Sequence, residues 1–173
     1  VLVPICGALS QKISAYRMVT SGSLVSALSV FILALPPGWF KPMADGWLGH
    51  LIVHQWLEVA GPVNPLYLSI FWFTVLLSLG EALWSPRLYE YAAAIAPKGQ
   101  EASYMALSVL PYFFAKFGAG SLSGWLLMTY CPAEGPRNPA GMWILIGCMA
   151  LITPIGTYVF RKHIQVHEDG RDD

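Results

Sequence analysis

Three ionisable side chains fall inside an apolar run at GEALWSPRLYEYAAAIAPKGQ, residues 80–100. Glu81, Arg87 and Glu90 follow a stretch, 66–79, that carries no charge. A fourth group, Lys116, stands alone within 104–130. A carboxylate in a low-dielectric setting can have a raised proton affinity, exchange a proton, or pair with an ammonium group. Arg87 and Glu90 are i,i+3 neighbours, so they can also form a local pair. The chemistry on offer is therefore proton exchange, capture of a charged solute, or structural ion pairing.

Other constellations are weaker. His50, His54 and Glu58 are spaced i, i+4 and i+8, which would put them on one helix face. A zinc site is conceivable there, but a short amphipathic surface helix with Trp47 and Trp56 explains the same pattern, and no metal is expected. Cys6, Cys131 and Cys148 form no ligand spacing and no disulfide framework. No phosphate loop, HExxH or GxSxG is present. Nothing points to an enzyme, a catalytic residue or a cofactor.

The elements that carry these groups follow from composition. Hydrophobic residues are 55% of the 173 and charged residues 12%, about half the share of a soluble domain, with mean hydropathy +0.53. This favours a membrane protein in contact with the bilayer. Net charge is zero, so nothing suggests nucleic acid or an acidic substrate. Helical spans need about 20 apolar residues. The sequence predicts them over 18–35, 66–96, 104–130 and 142–160. Residues 1–9 read as the end of another helix. The chain opens VLVPICG inside an apolar stretch, as a piece of a longer protein would.

Alternating the sides puts Lys12, Arg17, Lys98, Arg161, Lys162 and Arg171 on one side and Lys41 and Arg137 on the other. The positive-inside rule makes the first side cytoplasmic, with the tail 164–173, and the segment 36–65 external. The protein is thus expected to be an integral, multi-pass one with a cytoplasmic C-terminus.

Spans 18–35 and 142–160 have no ionisable residue and are the lipid-facing candidates. Spans 66–96 and 104–130 are the interior ones, because ionisable groups avoid lipid. Measured from the turn at 97–103 at 1.5 Å per residue, Glu81 stands roughly 24 Å up, Lys116 about 20 Å, Arg87 about 15 Å and Glu90 about 10 Å. Glu81 and Lys116 are expected to pair or couple across a cavity. Arg87 and Glu90 lie near enough to the headgroups to snorkel. Pro86 removes a backbone donor one turn below Glu81 and is a candidate hinge, as is Pro111. Gly120 and Gly124 form a GxxxG pair for close helix packing.

The hairpin GEALWSPRLYEYAAAIAPKGQEASYMAL resembles helix ten, the cytoplasmic turn and helix eleven of the proton-dependent oligopeptide transporter branch of the major facilitator superfamily. The matching features are Gly80-Glu81, Ser85-Pro86, Tyr89 and Tyr91, and Ala96-Pro97-Lys98. The stretch VPICGALSQKISAYRMVTSGSLVSALSVFILAL is similar to the end of helix eight, the following loop and helix nine. By topology the likeness covers 1–163, and it is specific over about 30 residues. Arg87 after Pro86, Lys116 and the long 36–65 segment depart from the pattern.

The resemblance implies an all-α polytopic bundle, part of the C-terminal six-helix half of the superfamily fold. It implies proton-coupled movement of a small solute such as a peptide by alternating access, with Glu81 in the cavity engaging the substrate's amino end, and with an N-terminal half as partner. The alternative is a non-transporting membrane scaffold or assembly protein in which the charges are structural ion pairs.

Overall fold

Asn-Pro pairs start two of the long helices. Asn64 Oδ1 accepts the Leu66 amide at 3.0 Å, and Pro65 opens the helix behind it. Asn138 Oδ1 accepts the Gly141 amide at 3.0 Å, with Pro139 next in line. In each pair the asparagine satisfies an amide that the first turn leaves unbonded, and the proline has none to lose.

The computed structural model describes residues 13–94 and 96–164. The expected helix end at 1–9 and the tail beyond residue 164 lie outside them. The helices are α1 (Ala15–Phe31), α2 (Lys41–Ala44), α3 (Trp47–Gly49), α4 (Pro65–Ala94), α5 (Glu101–Ser108), α6 (Leu110–Tyr130), α7 (Pro139–Ala150), α8 (Ile152–Val159) and α9 (Arg161–Ile164). No strand occurs among the described residues. Four stretches are long and apolar enough to cross a membrane: Ala15–Ala34, Pro65–Glu90, Glu101–Tyr130 and Pro139–Val159. They coincide with the four predicted spans to within a few residues.

Proline decides where two of these stretches break. Pro111 cannot donate to the carbonyl four residues back, and the helix is interrupted at Val109 between α5 and α6. Pro154 does the same to the Ala150 carbonyl, and the interruption falls at Leu151 between α7 and α8. Pro86, by contrast, lies inside α4, which continues through it. At the end of the first span, Leu35 turns to extended backbone (ψ 146°) ahead of Pro36, as a residue before proline prefers.

The first span is the hub. α1 packs most extensively on α4 and also meets α7 and α8. A third of the apolar window of Ala15–Ala34 is buried, 33%, against 0% for Glu101–Tyr130. This reverses the expected order, in which the charge-free span 18–35 was peripheral and 104–130 interior. The reason is side-chain size. α1 presents Gly22, Ser26 and Ala27 to its neighbours, so their backbones come close. A Cβ placed on Gly22 would stand 2.7 Å from the Gly80 carbonyl oxygen and 2.9 Å from the Trp84 amide nitrogen. A Cβ on Gly80 would overlap Ser26 Oγ. Gly22 meets 80–84 while Ser26, one turn on, meets Gly80, so the two helices run antiparallel.

Hydroxyls inside the spans turn back onto their own helix. Ser29 Oγ donates to the Ser26 carbonyl at 2.7 Å, Ser69 Oγ to Leu66 at 2.8 Å and Thr74 Oγ1 to Ile70 at 2.8 Å. A further link ties the first span to the last. The Tyr16 hydroxyl donates to the Thr157 carbonyl at 3.1 Å.

In the segment 36–65, α3 runs directly into a π-helix, His50–Trp56, so one short helix covers 47–56, and Phe40, Ala44, Ile52 and Val53 pack the segment onto Leu68 of α4. Trp39, Trp47 and Trp56 remain exposed at its surface.

Candidate functional site

Helix α4 has two unlike faces. Gly80, Leu83, Trp84 and Arg87 lie on the side turned to α1. Thr74, Ser78, Glu81, Ser85 and Tyr89, spaced four, three, four and four residues apart, share the opposite side. Thr74, Ser78, Glu81 and Tyr89 are exposed and Ser85 is half-buried. A polar stripe about 22 Å long, at 1.5 Å per residue, thus runs uncovered along a helix apolar enough to span a bilayer.

Gly80 positions the carboxylate of its neighbour. Its backbone lies against Gly22 and Ser26 so closely that the helix cannot rotate without a clash. Glu81 is 100° further round the helix, so this contact fixes its side chain away from α1.

A cavity of about 410 Å³ opens at the Pro65 end of the stripe, between the π-helix and α4. Trp56, Phe71 and Val75 give it apolar walls, and Thr74 and Ser78 line it as well. Trp56 and Phe71 meet edge to face with ring centroids 6.1 Å apart. A second crevice of about 450 Å³ runs between α1, α4, the start of α6, α7 and α8. Ser23, Ser26, Trp84, Tyr112, Thr153 and Thr157 line it.

Arg87 is 4% exposed, buried on the α1 side, and it donates to Glu90 Oε2. The expected i,i+3 pair is present. The expected snorkelling of Arg87 is not, because its face of the helix is the packed one. Glu90 is the half-exposed partner, its side chain 54% accessible. The cation is therefore held in the protein and its anion reaches outward.

Glu81 and Lys116 are not brought together. Both are exposed, and no ion pair joins them among the described residues. The axial rise puts them at similar heights, but α6 nears α4 at its first turn, where Tyr112 lines a crevice with Trp84 and Leu88, and not at Lys116. Gly120 and Gly124 likewise face open space, with nothing within 4 Å of a Cβ at either. The close helix contact expected of that pair is made by Gly22 and Gly80 instead. Pro111 sits in the first turn of α6, at the helix break, whereas Pro86 lies within α4 beside the stripe.

The histidines do not extend to a third ligand. His50 and His54 stack with centroids 5.1 Å apart. His54 Nδ1–H donates to the Val59 carbonyl at 2.8 Å. Glu58 has left-handed backbone, φ 53°, outside the π-helix, so the i+8 register is broken. No group of three metal-ligating side chains occurs among the described residues.

Thr74 and Ser78 had no place among the residues expected from sequence, and Ser85 and Tyr89 entered only as features of the resemblance, with no site role. Their helical spacing within 66–96 was visible there, but it takes the burial of the opposite face to make them a stripe.

No protein-family model, curated protein or solved structure matches the chain.

Proposed function

We propose that this chain is the C-terminal portion of a proton-coupled secondary active transporter, in which the α4 face bearing Glu81 lines the central, water-filled cavity. One observation carries the reading. A carboxylate and four hydroxyl side chains occupy a single face of a span-length apolar helix, and that face is uncovered. Turned to lipid, Glu81 would cost several kcal/mol, so the face needs water or protein in front of it. The resemblance of GEALWSPRLYEY to the tenth helix of the proton-dependent oligopeptide transporters supports the same assignment.

In this reading Glu81 takes a proton or pairs with the ammonium end of a small solute such as a peptide. Gly80, lodged against α1, keeps the carboxylate pointed at the cavity while the helix moves. Pro86 leaves the Ala82 carbonyl without its helical donor, one turn from Glu81, and is the site where α4 bends. The hydroxyls of Thr74, Ser78 and Ser85 supply neutral hydrogen bonds along the path. Alternating access needs a second half moving about the same site, so the partner is an N-terminal bundle. The cytoplasmic side is assigned to the Arg161-Lys162 end by the positive-inside rule.

Proton-driven uptake by the full-length protein in vesicles, with and without Glu81→Gln, tests this. Gradient-dependent uptake of a peptide panel that the substitution abolishes supports the reading. Uptake that survives Glu81→Gln makes the carboxylate structural. A well-folded protein that moves nothing favours the scaffold alternative, for which the self-contained Arg87–Glu90 pair is the specific observation.

A further inference from the structure

Lys116 lies near the middle of the stretch Glu101–Tyr130, about 22 Å from one end and 21 Å from the other at 1.5 Å per residue. Its stem cannot reach either headgroup layer from there. No residue in the apolar window of this span is buried, and Lys116 itself is exposed. Among the described residues it has no ion pair. Glu90 is engaged by Arg87, Glu101 accepts the Gly99 amide, and Glu81 faces elsewhere. An ammonium group at mid-bilayer with lipid around it is not a stable arrangement. The face needs water or a polar partner in front of it, and an anionic side chain is the partner that also neutralises the charge.

The surroundings say what shape it has. Gly120 and Gly124 follow Lys116 at i+4 and i+8, on the same side of α6, and open space lies over both. Phe113, Phe117 and Met128 stand out around that strip at 67%, 77% and 79% exposure. The result is an exposed helix face that carries one cation, two glycines with nothing over them and large apolar side chains on the same side. A second helix can approach the backbone of α6 at the two glycines.

We propose that the Lys116 face of α6 is the docking surface for a transmembrane helix that presents an aspartate or glutamate at mid-bilayer. The charge selects the partner and sets its depth, and the two glycines allow the approach. This does not depend on transport. It assigns Lys116 to assembly and leaves the solute to Glu81.

The test uses the full chain, donor-labelled, in phosphatidylcholine vesicles at pH 8. Acceptor-labelled 21-residue leucine-alanine peptides carry Glu, Gln or Leu at the central position. Energy transfer is expected to show the Glu peptide binding about tenfold more tightly than the Leu peptide. That preference should vanish in Lys116→Met and persist in Lys116→Arg, with the helical circular dichroism unchanged in both. Equal binding of the three peptides, or a Glu preference that survives Lys116→Met, overturns the proposal. So does a Gln peptide that binds as well as the Glu peptide, since hydrogen bonding would then suffice.

Discussion

At the scale of single residues, the described ion pair divides its partners unequally. Arg87 is buried and Glu90 is half in solvent. Removing the carboxylate leaves a buried cation without its anion, which is worse than removing both charges. Screening at Glu90 limits the size of the effect. Glu90→Gln is expected to destabilise the protein by roughly 1 kcal/mol. The double variant Arg87→Leu/Glu90→Gln should recover part of that loss, in denaturant or thermal melts in detergent micelles. If the double variant is the less stable one, Arg87 acts through contacts other than the pair. The presence of this pair was legible from the i,i+3 spacing. The burial of Arg87 was not, because spacing along one helix gives no information on which face meets a neighbour.

At the scale of elements, span positions follow closely from the sequence. The reason is that length, hydropathy and the helix-starting Asn-Pro pairs are all local. Pro111 and Pro154 are equally local, yet only Pro111 was singled out, and neither was taken as a helix break. Contacts between helices are another matter. Gly120 and Gly124 have the GxxxG spacing and pack on nothing here, while Gly22 and Gly80 belong to different helices and no spacing relates them. Gly22→Ala is expected to lower the thermal midpoint, since the added methyl meets backbone and overpacking costs about 1–3 kcal/mol. Gly120→Ala, with open space around it, should leave the midpoint unchanged or raise it by virtue of helix propensity, worth up to about 1 kcal/mol. A Gly22→Ala protein as stable as the parent would mean that α1 and α4 are not held at this distance. At the breaks, Pro154→Ala restores a donor to the Ala150 carbonyl. Slower hydrogen exchange is expected for the amides around residues 151–155, and unchanged exchange would show that something other than proline interrupts the helix.

At the scale of the molecule, α1 gathers α4, α7 and α8, while α6 meets chiefly α7 and the crevice at Tyr112. That arrangement was not legible in the sequence. The rule that ionisable spans turn inward compares helices with lipid, not with one another, and the described helices leave the charged faces of α4 and α6 uncovered. No direct Glu81–Lys116 pair forms among the described residues for the same reason, since equal height fixes one coordinate of three. Two separate exposed faces therefore remain: a polar stripe on α4 and the face of α6 that carries Lys116. Each carries a distinct assignment, the first to solute and protons, the second to a partner helix.

The account depends most on water lying over the α4 stripe. The measurement is cysteine accessibility in the membrane-embedded full-length protein, with Cys6, Cys131 and Cys148 first replaced by serine. Single cysteines are introduced at Thr74, Ser78, Glu81 and Ser85, and at Leu83 and Trp84 on the other face. A water-soluble methanethiosulfonate reacts with the thiolate, which forms only where water reaches. Fast labelling at the first four positions, blocked at Leu83→Cys and Trp84→Cys, is the predicted result. Labelling absent from all four stripe positions, in protein that keeps its helical signal, would contradict a cavity at Glu81.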